Sequence, residues 1–185
     1  MRIFTVIMCL FLTFSSVSFS YNVTSIDKAI IHIIKKGIPK FKIRPWKKHP
    51  YLKDERKLNE LSASILDASL KYDIPPMLLV AISFREGSFH GRREGKLGEK
   101  STFQIVKSLQ KSVVKYEPDC KLTGPRGASM CAAALLARYR EKCGDLQGAF
   151  LRYATGRNIC KPDSEHLKNI TRDRFGIAEF LENTN

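Results

Sequence analysis

Glu86 is the residue in this chain best placed to move a proton. It follows residues 77–84 (MLLVAISF), an almost wholly apolar helical run, and Phe89 and Phe103 lie close by in sequence. Apolar surroundings and the negative end of a helix dipole both disfavour a charged carboxylate, so both push the Glu86 pKa upward. A carboxyl that stays protonated near neutral pH is what a general acid for glycosidic cleavage requires. The plainer reading is a surface glutamate at a helix end, paired with Arg85 or Arg92. Glu94 and Glu99 follow in the next loop, where Arg92, Arg93 and Lys96 are at hand to offset them.

Cysteine and histidine spacing point away from metal chemistry. Beyond Cys9 the cysteines are Cys120, Cys131, Cys143 and Cys160, with no C-x-x-C pair, and the four histidines form no H-E-x-x-H. No metal and no cofactor are expected. Four cysteines in an exported chain suggest two disulfides. Cys131 and Cys143 are twelve residues apart on one expected helix, about 18 Å at 1.5 Å per residue, too far to bond. Two pairings remain: 120–131 with 143–160, or 120–143 with 131–160.

Three segments, in order, resemble the motifs of the lytic transglycosylases related to goose-type lysozyme. Residues 75–89 (PPMLLVAISFREGSF) resemble the apolar helix that ends in the family's catalytic Glu. Residues 98–105 (GEKSTFQI) resemble the Gly-containing loop that ends in an apolar residue, Gln and Ile, and residues 149–156 (AFLRYATG) the short helix that ends Tyr-Asn-Ala-Gly. The departures are Gly87 where a Ser usually follows the Glu, Ser101-Thr102-Phe103 in place of Gly-Leu-Met, and Ala154 in place of Asn.

The resemblance implies that Glu86 is the general acid/base, that Gln104 hydrogen-bonds the glycan together with Ser101, and that the Tyr153 hydroxyl donates to Glu86 and orients it. Without the resemblance, Gln104 is a loop residue with no task and Tyr153 packs against Leu146 and Phe150. The implied reaction cleaves the β-1,4 bond between MurNAc and GlcNAc in peptidoglycan, using one acid/base with the substrate's own acetamide and 6-hydroxyl. Two alternatives stand beside it. One is a true lysozyme of the same fold, and the other a non-catalytic wall-binding module on a lysozyme scaffold.

The elements that would hold these residues are helical. Leu58, Leu61, Ile65, Ala68 and Tyr72 recur at spacings of three and four. Asp73 then offers an N-cap, with Pro75 and Pro76 in the first turn of the apolar helix, and Gly87 stops it. Further helices are expected over residues 103–114, 127–143, 146–153 and 164–181. The fold class is mainly α, a lysozyme-like single domain over residues 58–185, with an irregular loop or small hairpin after the Glu86 helix.

Residues 1–20 read as a cleaved secretory signal: Arg2, an apolar stretch over residues 3–14, then Ser18 and Ser20 before Tyr21. Residues 21–57 carry eleven Lys/Arg against three acids and read as a basic N-terminal arm. Within it Ile26, Ile30, Ile33 and Ile34 suggest one short amphipathic helix. The arm either packs on the domain or anchors it to an anionic polymer.

The whole chain of 185 residues has 32 Lys+Arg, 18 Asp+Glu and a net charge of +14, with 43% hydrophobic residues. That composition excludes a disordered tail and a multi-span membrane protein, and it favours an anionic partner. Peptidoglycan strands, and an anionic wall polymer through the arm, are the expected partners of a monomer. The interleaved aromatics of a nucleic-acid reader are not evident.

Overall fold

A computed structural model describes residues 23–40, 50–87, 89, 98 and 101–169. The expected signal segment, most of the loop after Glu86 with its suggested hairpin, and the expected last helix beyond residue 169 lie outside the described residues. Among those described the architecture is helical, with no strand. The order is α1 (Val23–Lys40), α2 (Pro50–Lys53), α3 (Glu55–Tyr72), α4 (Pro76–Gly87), α5 (Lys107–Val113), α6 (Pro125–Cys143) and α7 (Leu146–Thr155). Residues 165–169 begin a further helix, where the Leu167 N–H donates to Ser164 Oγ at 3.4 Å.

α3 forms where the spacing predicts. Asp54 caps it by accepting from the Lys57 N–H at 3.2 Å, and that hydrogen bond holds the Asp54 carboxyl below its ordinary range. Leu58, Leu61, Ile65 and Ala68 are fully buried along one face. The helix ends at Asp73, left-handed at φ 51°, whose N–H bonds the Ser69 carbonyl. Asp73 therefore closes α3 and does not open α4, contrary to expectation. The reason is chemical: an N-cap carboxylate needs an N–H two or three residues on, and those positions are Pro75 and Pro76, which have none. α4 starts instead at Pro76, where a missing N–H costs nothing, with the Pro75 carbonyl accepting from Leu78 at 3.0 Å.

α4 runs through the middle. Leu78, Leu79, Val80, Ala81 and Ile82 are all buried, and α1, α3 and α6 pack around them. α6 can approach closely because it offers Ala132, Ala133 and Ala134 at its centre, and it also carries most of the contact with α3 and α7. Fully burying a Leu, Val or Ile side chain contributes roughly 1.5–3 kcal/mol each, so this layer dominates stability.

Of the two readings of the basic segment, packing on the domain is the one that α1 follows. Ile30 and Ile34 are fully buried, Ile33 nearly so, and all three belong to one core with Leu58 and Leu61. The buried Ser62 hydroxyl on α3 bonds Asp27 on α1, and Lys35 pairs with Glu55 at 3.0 Å. Basic residues point outward from a helix whose isoleucines point in, so a high charge count did not mark a detached segment. The boundary expected at residue 57 falls inside α3.

The disulfides are Cys120–Cys131 and Cys143–Cys160, with Cα separations of 4.6 and 5.2 Å. Both cross-link α6 to a neighbouring loop, one from its second turn and one from its last residue. Gly148 makes the second possible, since a Cβ there would sit 2.5 Å from the Cys160 carbonyl oxygen.

Glu117 ties the loop after α5 to α3. It is 1% exposed, accepts from Lys71 Nζ at 2.6 Å and from the Asp119 N–H at 3.0 Å, and also bonds the Tyr72 hydroxyl. Burial works to raise its pKa, but the donors from Lys71, Tyr72 and Asp119 outweigh it and hold the carboxyl below its usual range.

Two outcomes follow for unfolding experiments. Ile34→Ala is expected to lower unfolding free energy by about 3 kcal/mol in urea titration; a loss under about 0.5 kcal/mol would mean α1 is not part of the core. Glu117 has a folded pKa below its unfolded value, so its stabilisation is complete above about pH 4.3 and drains away as pH falls through the lower folded value. Glu117→Gln is expected to cost about 2 kcal/mol at pH 7, because half-exposed Lys71 can return to water, and to flatten the acid limb of a stability–pH curve.

Candidate active site

Glu86 sits where α4 leaves the core. Burial runs unbroken to Ser83, Phe84 and Glu86 are half-buried, and Arg85 between them is exposed. The chain then folds back: the Phe89 N–H donates to the Ser83 carbonyl at 3.0 Å, and Phe89 itself is left-handed at φ 58°. That turn buries Phe89, its ring 5.6 Å from Phe84. Glu86 thus lies half-buried where α4 leaves the core, in the turn that brings Phe84 and Phe89 together.

The second segment, residues 101–104, is a tight turn rather than the start of a helix. Ser101 (φ 74°) and Gln104 (φ 49°) are both left-handed, which a right-handed helix cannot include, so α5 starts only at Lys107. The Ser101 carbonyl accepts from the Gln104 N–H at 3.2 Å and from Gln104 Nε2 at 3.0 Å, and Ser101 Oγ accepts from the Phe103 N–H at 3.3 Å. Thr102 hydrogen-bonds the Tyr51 side chain on α2, and burial raises the Tyr51 pKa.

Ser101 is 3% exposed, and its carbonyl and hydroxyl hold the turn. Gln104 is half-buried. Left-handed non-glycine residues each store strain of order 1–3 kcal/mol, and such strain gathers at functional sites. Phe89, Ser101 and Gln104 all belong to the segments that meet here.

Tyr153, on α7, joins the second segment to the third. Its hydroxyl donates to the Phe103 carbonyl at 2.7 Å. A phenol has one proton to give, so Tyr153 does not donate to Glu86 as the resemblance implied. It does lie within electrostatic reach of Glu86: burial first, then the Glu86 charge and Tyr139, raise the Tyr153 pKa well above the ordinary phenol range. The hydroxyl therefore stays protonated and keeps its bond to the turn. Through this bond Tyr153 fixes the Phe103 carbonyl and with it the 101–104 turn.

Tyr153 is thus linked to the turn by a hydrogen bond and to Glu86 by electrostatic reach, and Ser101 holds the turn itself. Glu94 and Glu99 lie outside the described residues. Among those described, no group of His, Cys, Asp or Glu could hold a metal ion. The sequence reading missed Tyr139 and Arg152, which border Tyr153; Tyr139 carried only the signal of a core position on α6.

A groove of about 790 Å³ lies elsewhere, lined by Ile26, Leu66, Leu70, Pro76, Met77 and Leu146. It borders the start of α4, ten residues or roughly 15 Å of helix from Glu86. Asp73 and Arg140 line it too, and it shares no lining residue with Glu86, the 101–104 turn or Tyr153.

No family model matches this chain, and no curated protein or solved structure matches it.

Tyr153→Phe is expected to leave the Phe103 carbonyl without its donor and to lower stability by about 1–2 kcal/mol in urea unfolding. Unchanged stability would show that the hydroxyl does not fix the turn.

Proposed function

We propose that this protein is a peptidoglycan-cleaving enzyme of the lytic transglycosylase type, with Glu86 as its single general acid/base. The observation that supports the reading is that Tyr153 is linked to the 101–104 turn by a hydrogen bond and to Glu86 by electrostatic reach. These are 18 and 49 residues apart in the chain (Glu86 to Gln104, Gln104 to Tyr153), yet Tyr153 bonds the turn and feels the Glu86 charge. They are also the positions at which the three motif resemblances fall.

In this reading Glu86 protonates the glycosidic oxygen as the bond to the MurNAc C1 breaks, and the leaving GlcNAc takes that proton. The MurNAc acetamide supports the positive charge at C1. The Glu86 carboxylate then accepts the proton of the MurNAc 6-hydroxyl as that oxygen bonds C1, which returns the acid to its starting state. Gln104 offers an amide donor and acceptor to sugar hydroxyls or acetamides.

Two disulfides are compatible with a secreted protein, and export would bring the enzyme to this substrate. No helix among the described residues is long and apolar enough to cross a membrane.

Glu86→Gln preserves shape and removes the transferable proton. It is expected to reduce release of soluble fragments from purified sacculi by at least about 10³-fold, while the melting temperature stays near that of the parent. Near-parental activity would sink the assignment of Glu86.

A further inference from the structure

The groove beside the start of α4 takes no part in the proposed reaction, and its lining is suited to another task. Buried Leu66 and Met77 line it together with Leu70, which at 59% is the most exposed large hydrophobic side chain among the described residues. Its volume of about 790 Å³ falls within the roughly 300–1,000 Å³ of small-molecule sites. Its lining offers little to a polar ligand, since the Ser69 hydroxyl is spent on the Ile74 carbonyl at 2.5 Å.

The charges around the groove are one-sided. Asp73 lines it, but Arg140 holds the Asp73 carboxylate at 3.2 Å and also donates to the Asp73 and Tyr72 carbonyls. Asp27, next to Ile26, accepts from the Ser62 hydroxyl on α3. Asp145, next to Leu146, accepts from the Gly148 N–H at 2.6 Å and caps α7.

The cations of α1 have no such partners. Ser25 and Ala29 line the groove, and the same row of the helix, at spacings of four, three and four, continues through His32 to Lys36. Lys28, three residues after Ser25, lies beside that row. Lys28 and Lys36 are exposed and pair with no described carboxylate. An apolar groove whose acids are engaged thus has two unpaired lysines along its α1 side.

We infer that this groove binds a single-chain anionic phospholipid, with the acyl chain against Leu66, Leu70 and Met77 and the phosphate head group at Lys28 and Lys36. An acyl chain asks for no hydrogen bonds along its length, which matches the lining, and burying it removes Leu70 from water as well. A negative charge at one end of the ligand matches the excess of lysine on one side of the groove. The site shares no residue with the Glu86 region, so it stands or falls independently of the proposed reaction.

The test is calorimetric titration of the protein with myristoyl lysophosphatidylglycerol and myristoyl lysophosphatidylcholine, both kept below micelle-forming concentrations. The two share a chain and differ in head-group charge. The anionic lipid is expected to bind at least about tenfold more tightly, a preference that added salt reduces. Leu70→Gln is expected to weaken both lipids by about fivefold. Lys28→Gln with Lys36→Gln is expected to remove most of the preference and to leave affinity for the phosphatidylcholine lipid unchanged. All three side chains are exposed, so each variant is expected to keep the parental melting temperature.

Methyl NMR shifts at Leu66, Leu70 and Met77 on adding the anionic lipid would locate the chain in the groove. No saturable binding, equal affinity for the two lipids, or binding that Leu70→Gln leaves unaltered would overturn the site. A groove already filled by a second copy or by the chain's own residues before Val23 would leave those methyl signals unmoved by lipid, and that result would overturn it too.

Discussion

α4 is apolar on nearly every side from Met77 to Ile82, and a helix of that kind persists in water only when other elements enclose it. Much of the described structure can be understood as that enclosure. α3 and α6 flank it with Leu58, Leu61, Ile65 and the alanines of α6, and α1 closes it with Ile30 and Ile34. The disulfides act on the same elements, since both begin on α6 and tie it to the loops beside it. Enclosure ends where the apolar run ends, and the first half-buried carboxylate after it is Glu86. The position of the candidate acid is thus a consequence of where the core stops.

The rest of the site depends on how the chain is held after that point. Phe89 turns back into the core through its bond to Ser83, and Phe103 is buried nearby. Either side of Phe103 the backbone adopts left-handed conformations at Ser101 and Gln104, which persist because the turn bonds itself and because Tyr153 and Tyr51 secure it from α7 and α2. Glu86 is therefore placed by burial, while Gln104 is placed by hydrogen bonding from a helix much later in the chain.

Periodicity made α3, α4, α6 and α7 legible because their apolar residues repeat at helical spacing over two or more turns. It also brought Ile30, Ile33 and Ile34 together on a face. It did not say whether that face meets the core, since eleven basic residues in the same stretch suit an exposed arm equally well. Capping was misread at Asp73 because residue type alone favours an N-cap there, while the two prolines beyond it remove the donors it needs. The turn at 101–104 was read as an approach to a helix, because left-handed Ser and Gln leave no trace in composition. Separation along one helix excluded one disulfide pairing, and only the positions of Cys120 and Cys160 beside the ends of α6 decided between the other two.

The chemistry assigned to Glu86 is tested most directly by mass spectrometry of the soluble fragments released from purified sacculi by the parent chain. The expected fragments end in a MurNAc one water lighter than hydrolysis would leave, because its own 6-hydroxyl closes onto C1. Fragments that end in an ordinary reducing MurNAc would contradict the transglycosylase step, and release of no glycan fragment would contradict the role of Glu86 altogether.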